Sequence, residues 1–288
     1  MGEGHKQPVP KLGESCYLDM ISESTSPEAK ANAARRYSEM MIDLFLSEKA
    51  KERLGESSFK KLSLGEQIRE VQNDFSLDIV NTLFEIKNIG DQGSHYSQQP
   101  LSMENAIRIT NSALGLFTLI LIDYFKKTGL NKTFNTAKIF STLFPKIRAD
   151  VLSQLLNKGI ITTEYDIAIL HKYILALVKN GQKNKAKNLL RKKYEKGLIE
   201  EDVYYLEIKV IQTISEGIEK NELPVPLTIN DCKRNFDSVI NSLDDYDRNE
   251  NYELIKIIST LLNEINPSEL GTFIPNKEYL IYNFLNEQ

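Results

Sequence analysis

Apolar residues recur at helical spacing along almost the whole of this 288-residue chain, and no sustained alternation of apolar and polar residues appears. One such stripe follows Ser26 and Pro27, which suit the N-cap and the first position of a helix. Its members fall on a single helical face: Ala33, Tyr37, Met40, Met41, Leu44 and Phe45. Because half-buried strands need the alternating pattern, the spacing predicts an all-α fold.

Similar patterns predict further helices along the rest of the chain. They cover residues 64–86, 102–127, 136–157, 164–180, 183–196, 200–220, 230–243 and 250–265, with a terminal helix over 275–284. A polar, glycine-containing break at residues 129–133 follows the longest apolar helix and marks the best domain boundary. Three regions are therefore predicted: a flexible N-terminal segment (1–25), a helical bundle (26–129) and an all-helical interaction domain (130–288).

The predicted C-terminal domain contains a stretch that is typical of repeat proteins. Residues 168–190 resemble a tetratricopeptide-type helical hairpin, although a solenoid needs about three such units and one is found. The domain is thus expected to be helical and repeat-like, and suited to binding a protein partner.

Charge is distributed unevenly beneath a formal net charge of −4. Residues 131–220 carry 16 Lys and Arg against 10 Asp and Glu, whereas residues 221–288 carry 5 against 12. A basic stretch can attract a nucleic-acid backbone, but it can also be an ordinary solvated helix face. Within it one basic triplet is a candidate nucleic-acid contact: Arg191, Lys192 and Lys193.

Cysteine content and apolar runs bear on the cellular compartment. Cys16 and Cys232 lie far apart, and neither belongs to a cluster that could hold zinc. The N-terminus lacks the apolar region of a secretory signal, and the longest apolar run, Ala113 to Tyr124, also fits a buried helix. We expect a cytoplasmic protein with reduced thiols, no membrane association, no bound metal and no cofactor.

The run Lys87-Asn88-Ile89-Gly90-Asp91-Gln92-Gly93-Ser94-His95 stands out between two apolar segments, Phe75–Ile86 and Ile107–Phe125. Its glycines predict a turn between two helices, which would bring the first and last residues of the run onto one surface. This run, the Lys87–His95 run, is the best candidate for a functional site.

The residue types in this run suit RNA cleavage. A histidine such as His95 titrates near neutrality and can move protons in either direction. A cation such as Lys87 can stabilise the extra negative charge of a phosphorane transition state. Because the 2′-hydroxyl of RNA can serve as the internal nucleophile, these groups would suffice without a metal ion. On the same residues alone, a capped loop with a surface histidine is the alternative.

The run also resembles the active-site motif of the HEPN superfamily. In one branch of HEPN-like domains from bacterial defence loci the pattern is close to Arg-x-x-Gly-Asn-x-x-x-His, and Lys87, Gly90, Asp91 and His95 stand in those places. The resemblance covers residues 26–127. It implies a bundle of four or five helices, a homodimer with two motifs facing a shared cleft, and a metal-independent endoribonuclease of antiphage or toxin-like defence.

The resemblance implies a role for each residue. His95 would be the general base or acid, Lys87 would stabilise the phosphorane, and Asn88 and Asp91 would orient neighbouring groups. The first helix resembles the Arg- and Glu-bearing first helix of that branch, and three of its residues would contact phosphate or position the site: Arg35, Arg36 and Glu39. For Arg35 and Glu39 the alternative is a surface ion pair between residues four apart.

Two positions depart from the family pattern. Lys87 replaces an arginine and cannot offer a bidentate fork to phosphate, and Asp91 replaces an asparagine and would repel a phosphodiester. These departures support a second hypothesis, in which the chain is a non-catalytic dimerising scaffold or regulatory subunit. Its C-terminal half would then bind a protein partner of a defence complex.

Overall fold

The computed structural model describes residues 5–94, 100–223, 225–226, 228–263 and 281–284. Its secondary structure is overwhelmingly helical, which confirms the all-α class. Two strands, β1 (His5–Pro8) and β2 (Ile281–Phe284), pair antiparallel with His5 opposite Phe284. The terminal helix predicted over 275–284 is therefore wrong for its last four residues, and 275–280 lies outside the described residues.

The described residues form fifteen α-helices. In the first half of the chain they are α1 (Glu14–Ile21), α2 (Pro27–Met41), α3 (Glu48–Leu54), α4 (Glu56–Phe59), α5 (Leu64–Val71), α6 (Leu77–Ser94) and α7 (Met103–Thr128). In the second half they are α8 (Thr136–Phe140), α9 (Pro145–Leu155), α10 (Glu164–Lys179), α11 (Lys183–Glu195), α12 (Glu201–Glu219), α13 (Ile229–Asn241), α14 (Asp245–Glu250) and α15 (Tyr252–Asn263). A 3-10 turn occupies Lys11–Gly13, and a π-helical turn, Ile42–Leu46, follows α2.

The chain divides into two compact units. Of the described residues, the N-terminal unit contains 9–123 with 257–263, and the C-terminal unit contains 5–8, 124–256 and 281–284. The division falls inside α7, before the polar break at 129–133 that the sequence favours as a boundary.

The N-terminal unit includes a segment that differs from its prediction. Residues 1–25 are predicted to be flexible, but α1 lies within them and buries Cys16, Tyr17 and Met20. Their spacing places all three on one side of a short helix, so their burial helps to offset the entropy of ordering it.

Helix starts in this unit follow the local sequence. The Ser26 hydroxyl accepts a hydrogen bond from the Ala29 amide at 3.2 Å, which confirms the predicted N-cap of α2. α7 begins at Met103, one residue later than predicted, after Ser102, whose hydroxyl accepts from the Asn105 amide at 3.2 Å.

Side-chain contacts in the same unit connect α7 to its neighbours. Phe117 packs edge-to-face against Phe45 at a centroid distance of 5.6 Å. An oxygen of buried Asp123 accepts from the Ser76 amide, one residue before α6, at 3.0 Å.

The C-terminal unit contains the predicted helical hairpin. α10 and α11 are joined by a tight turn in which Gly181 has a φ of 76°, a conformation that favours glycine. Elsewhere in this unit, a buried hydrogen bond of 2.6 Å from Thr136 to Asn251 ties α8 to the residue before α15.

One described helix, α7, is long and apolar enough to cross a membrane by length and composition. Just over half of its apolar stretch, 56%, is buried inside the protein, and the core helix of a globular protein passes the same test. Its length also exceeds the apolar run that the sequence alone singles out.

Candidate functional site

The first part of the Lys87–His95 run is helical, so the predicted turn is wrong as far as Ser94. α6 continues without a break through Gly90 and Gly93, and the reason lies in the neighbouring helix α2. A Cβ atom on Gly90 would lie 2.6 Å from the Cβ of Arg35, and one on Gly93 would lie 2.6 Å from the backbone oxygen of Glu28. The two glycines therefore allow close helix packing, which compensates for their poor helix propensity.

Close packing of α2 on α6 places four charged side chains in one cluster. Asp91 accepts from the Nζ of Lys87 at 2.5 Å through one oxygen and lies 3.0 Å from the Nε of Arg35 through the other. The Nη2 of Arg35 is also 3.2 Å from Glu39 Oε1. Both carboxylates thus contact Arg35, and Lys87 contacts Asp91. We call these four residues the charge cluster.

The charge cluster is electrically balanced, since it has two cations and two anions. Its side chains are 27 to 38% exposed, so water screens each pair. Pairs of this kind contribute about 0.3–0.5 kcal/mol each. The Nε of Arg35 makes no well-aligned hydrogen bond to Asp91 despite the short distance, so this contact is electrostatic. The ammonium of Lys87, by contrast, donates directly to Asp91, so its charge is already paired with a carboxylate.

A groove of about 610 Å³ adjoins the charge cluster. Arg35 and Glu39 belong to both, whereas Lys87 and Asp91 do not line the groove. Its walls come from α1, α2 and the segment around α5: Leu12, Ser15, Cys16, Arg35, Arg36, Glu39, Met40, Asp43, Lys60, Leu62, Ser63, Leu64 and Gln67. The groove is therefore a mixed surface of cations, carboxylates and apolar side chains.

Arg36 differs from the other cations that line this groove, because its charge has no partner in an ion pair within the described residues. Its side chain is exposed and makes no ion pair within the described part of the chain. Lys60 by contrast pairs with Glu56 at 2.6 Å. Burial raises the pKa of the Cys16 thiol and nearby Arg36 partly opposes that shift, so the thiol is protonated at neutral pH.

Of the four predicted catalytic residues, Lys87 and Asp91 belong to the charge cluster, and the other two are Asn88 and His95. His95 lies in 95–99, outside the described residues, so its position relative to Lys87 stays a prediction. Asn88 is exposed on α6 and takes no part in the ion pairs and hydrogen bond that define the charge cluster. Arg35 and Glu39 form the ion pair that the sequence offered as their alternative, and Arg35 additionally reaches Asp91.

The basic triplet on α11 is divided by its burial. Arg191 faces solvent and lies 3.8 Å from Glu195, and Lys192 is also exposed. Lys193 is only 7% exposed and donates to the backbone oxygen of Asn157 at 3.2 Å. Burial lowers the pKa of Lys193, and its charge is directed inward. Two cations rather than three are therefore available at this surface.

Tyr194 follows this triplet in the sequence, and the structure adds two further tyrosines beside it, Tyr204 and Tyr205. Tyr194 of α11 stacks on Tyr204 of α12 at a centroid distance of 4.6 Å, and Tyr205 packs against Tyr204. Exposed aromatic rings beside cations suit single-stranded nucleic acid, but Glu201 is near enough to raise the pKa of Tyr194. The surface around Tyr194 therefore contains both cationic and anionic side chains.

We looked for side chains that could bind a metal ion in the described ranges. They contain no group of three His, Cys, Asp or Glu side chains placed to hold an ion. Both cysteines are buried free thiols.

Sequence reasoning missed the groove because α1 was assigned to a flexible segment. The positions of Cys16, Tyr17 and Met20 on one helical side were the signal that could have revealed it. The ion pair between Lys87 and Asp91, four residues apart, would also have followed from a helix that continued past Ile86.

Comparisons with known proteins do not extend this description. No protein-family model matches the chain, and neither the curated proteins nor the solved structures contain a significant match.

Proposed function

We propose that this chain is a non-catalytic scaffold or regulatory subunit of a cytoplasmic bacterial defence complex, built on a HEPN-like N-terminal unit. The observation that carries the proposal is the ion pair between Lys87 and Asp91 at 2.5 Å, with Arg35 on the other oxygen of Asp91. The helical C-terminal unit would bind the protein partner.

A phosphorane beside Lys87 would meet a cluster whose charges are already balanced. Catalysis needs a positive group whose donors point at the developing charge before the reaction begins. Lys87 instead directs a donor to Asp91, and the charge cluster has no net charge. An approaching phosphodiester would have to displace Asp91 or lie against its carboxylate, which repels it. The cluster thus favours helix–helix cohesion over phosphate chemistry.

RNA digestion tests this proposal. Purified protein is incubated with a fluorescently labelled RNA in excess EDTA, alongside a His95→Ala variant. We expect intact RNA from both proteins. Cleavage by the wild-type protein that His95→Ala abolishes would overturn the proposal, whereas equal cleavage by both would indicate a contaminating nuclease and require repurification before scoring.

A metal-independent endoribonuclease is the second candidate, and one observation favours it. The groove beside the charge cluster is lined by Arg36, which has no ion pair within the described residues, and a phosphate could bind there. In this case His95 would exchange protons with the 2′-hydroxyl and the leaving 5′-oxygen, and Lys87 would have to leave Asp91. Arg36→Gln would then lower cleavage, whereas it leaves the scaffold function of the first candidate untouched.

Homodimerisation belongs to both candidates, since HEPN-like domains generally pair. Light scattering on the purified protein should give about twice the 32.9 kDa of one chain. A monomer over the whole concentration range would remove dimerisation from the proposal, but it would leave the argument about Lys87 unchanged.

A further inference from the structure

One helix of the C-terminal unit carries a large excess of positive charge. α11 (Lys183–Glu195) contains six lysines and arginines and one acidic residue, Glu195. Two of its cations form long ion pairs, Lys183 with Glu219 at 3.7 Å and Arg191 with Glu195 at 3.8 Å. The other exposed cations on and beside this helix make no ion pair within the described residues: Lys185, Lys187, Lys192 and Lys196. The exposed surface of α11 is therefore basic and largely unneutralised.

The charges of α11 oppose the stability of the helix itself. Its first turn contains lysines and no acidic residue, and no side chain caps its N-terminus, although that end of a helix is positive. Like charges also recur four residues apart, from Lys183 to Lys187 and from Lys187 to Arg191, which destabilises a helix. Packing of the buried residues Ala186 and Leu190 stabilises the helix instead. A charge pattern that destabilises its own helix points to an anion outside the chain.

Contacts with α12 show which side of α11 meets that helix. Lys183 contacts Glu219 at the C-terminal end of α12, and Tyr194 stacks on Tyr204 near its N-terminal end. The side chains on this side of α11 follow one another at spacings of four, four and three residues: Lys183, Lys187, Arg191 and Tyr194. We call this row, together with Tyr204 and Tyr205 of α12, the α11–α12 seam.

Aromatic rings lie at one end of the seam. Tyr194 and Tyr204 stack with their centroids 4.6 Å apart and their planes at 17°, and Tyr205 packs edge-on against Tyr204 at 5.3 Å. Tyr194 is 36% exposed and Tyr205 is 59% exposed. Because the rings hold one another in place, they can stack on a nucleic-acid base with little further loss of conformational freedom.

Two acidic side chains of α12 lie near the ends of the seam. Glu219 forms its ion pair at one end, and Glu201 is near Tyr194 at the other. Lys187 and Arg191 lie between these ends. From Lys187 to Tyr194 the helix rises about 10 Å, which is the length of about three stacked nucleotides. The seam thus offers cations for a short run of phosphates, followed by rings for the bases.

A single-stranded nucleic acid matches this surface better than a membrane or a duplex does. A helix that lies on a membrane needs a free apolar face, but Ala186 and Leu190 of α11 are already buried. Stacking on the tyrosines requires unpaired bases, which a duplex does not offer.

We propose that the α11–α12 seam binds single-stranded nucleic acid. Lys187 and Arg191 contact its phosphates, and Tyr194 and Tyr205 stack on its bases. The seam belongs entirely to the C-terminal unit, so this binding does not depend on the function proposed above.

Fluorescence anisotropy of the full-length protein tests the seam. A short labelled oligouridylate and a duplex RNA of the same length are titrated at several salt concentrations, and phosphatidylserine vesicles are tested by co-sedimentation. We expect the single strand to bind about tenfold more tightly than the duplex, and the vesicles not to bind. The logarithm of the association constant should fall with the logarithm of the salt concentration, with a slope of about −1.4 or steeper for two phosphate contacts.

Variants separate phosphate contacts from base stacking. Lys187→Gln should reduce that slope by about 0.7, whereas exposed Lys49→Gln, in α3, should leave it unchanged. Tyr205→Ala should weaken binding about tenfold without changing the slope, and Tyr205→Phe should bind like the wild type because the ring is kept. Tyr252→Ala, which removes a 64% exposed tyrosine from α15, is the matched aromatic control and should also bind like the wild type.

The proposal is overturned if the wild-type protein does not bind the single strand, or binds the duplex equally tightly. It is also overturned if Lys187→Gln and Tyr205→Ala behave like their matched controls. Both replaced side chains are exposed, so each variant should keep the wild-type Tm, and this measurement confirms that a loss of binding is not a loss of folding.

Discussion

Replacing Gly90 by alanine should destabilise the protein, although the same change in most helix interiors is stabilising. The added methyl group would lie 2.6 Å from the Cβ of Arg35 and 3.2 Å from the backbone oxygen of Ala31. Carbon atoms that are not bonded prefer separations of about 3.5–4.0 Å, so α2 and α6 would have to move apart by about 1 Å.

Two opposing terms set the magnitude. Alanine favours the helix over glycine by about 1 kcal/mol. Overpacking a tight contact costs about 1–3 kcal/mol, and here the obstacle is a Cβ and a backbone atom, which cannot rotate away. We therefore expect Gly90→Ala to lower the free energy of unfolding by about 1 kcal/mol.

Gly115, in α7, offers a matched control. It lies within a helix of the same unit, and a Cβ there would meet nothing within 4 Å. Gly115→Ala should raise the free energy of unfolding by about 0.5–1 kcal/mol, so the two variants should differ by about 2 kcal/mol. Urea unfolding followed by circular dichroism measures both. Equal stabilisation by the two substitutions would refute the close-packing explanation and restore the idea of a flexible glycine run.

Two further predictions concern protonation and thiol access. Hydrogen bonds from the Ser63 hydroxyl and amide lower the pKa of Glu66 below its ordinary value of 4.5. The ionised carboxylate therefore stabilises the folded protein above pH 4.5. This stabilisation is lost as the pH falls through the lowered pKa. Glu66→Gln should consequently reduce the urea midpoint at pH 6, and this effect should shrink progressively as the pH is lowered below 4.5. Exposed Glu52→Gln should be near neutral throughout, and a constant effect of Glu66→Gln would contradict the coupling. Cys16 and Cys232 are buried and their pKa values are raised, so neither should react rapidly with a thiol reagent until urea unfolds the chain, and fast labelling in the native state would show that one of them is open.

The sequence predicted the helices well because their signals are local. α10 spans 164–179 against a prediction of 164–180, and α2 begins after its predicted cap. Apolar periodicity and capping residues lie within a few positions of the helix they specify, so they can be recognised without a tertiary structure.

The predictions that failed depended on contacts between residues that are far apart in the sequence. Gly90 and Gly93 are turn-forming by type, and only the position of α2 shows that they permit close contact instead. The strand β2 depends on β1, more than 270 residues away in the chain. Arg35 meets Asp91 across two helices, a contact that no spacing rule supplies.

Local sequence patterns also did not predict which cationic side chains are buried. Lys193 belongs to a triplet that the sequence offers as a basic surface, yet it is only 7% exposed. Which side of a polar helix faces inward depends on the neighbouring helices. The four residues of the charge cluster could thus be named from the sequence, while the contact between Arg35 and Asp91 could not.

The most direct test of the central claim is the RNA affinity of Asp91→Asn, measured by fluorescence anisotropy at low salt with a short labelled RNA. Asparagine removes one negative charge, so Lys87 becomes free and the charge cluster gains a net charge of about +1. We expect Asp91→Asn to bind RNA about fivefold more tightly than the wild type, and we expect the additional Lys87→Met substitution to reverse the gain. Unchanged affinity in Asp91→Asn would contradict it, because Lys87 would then not be neutralised by Asp91.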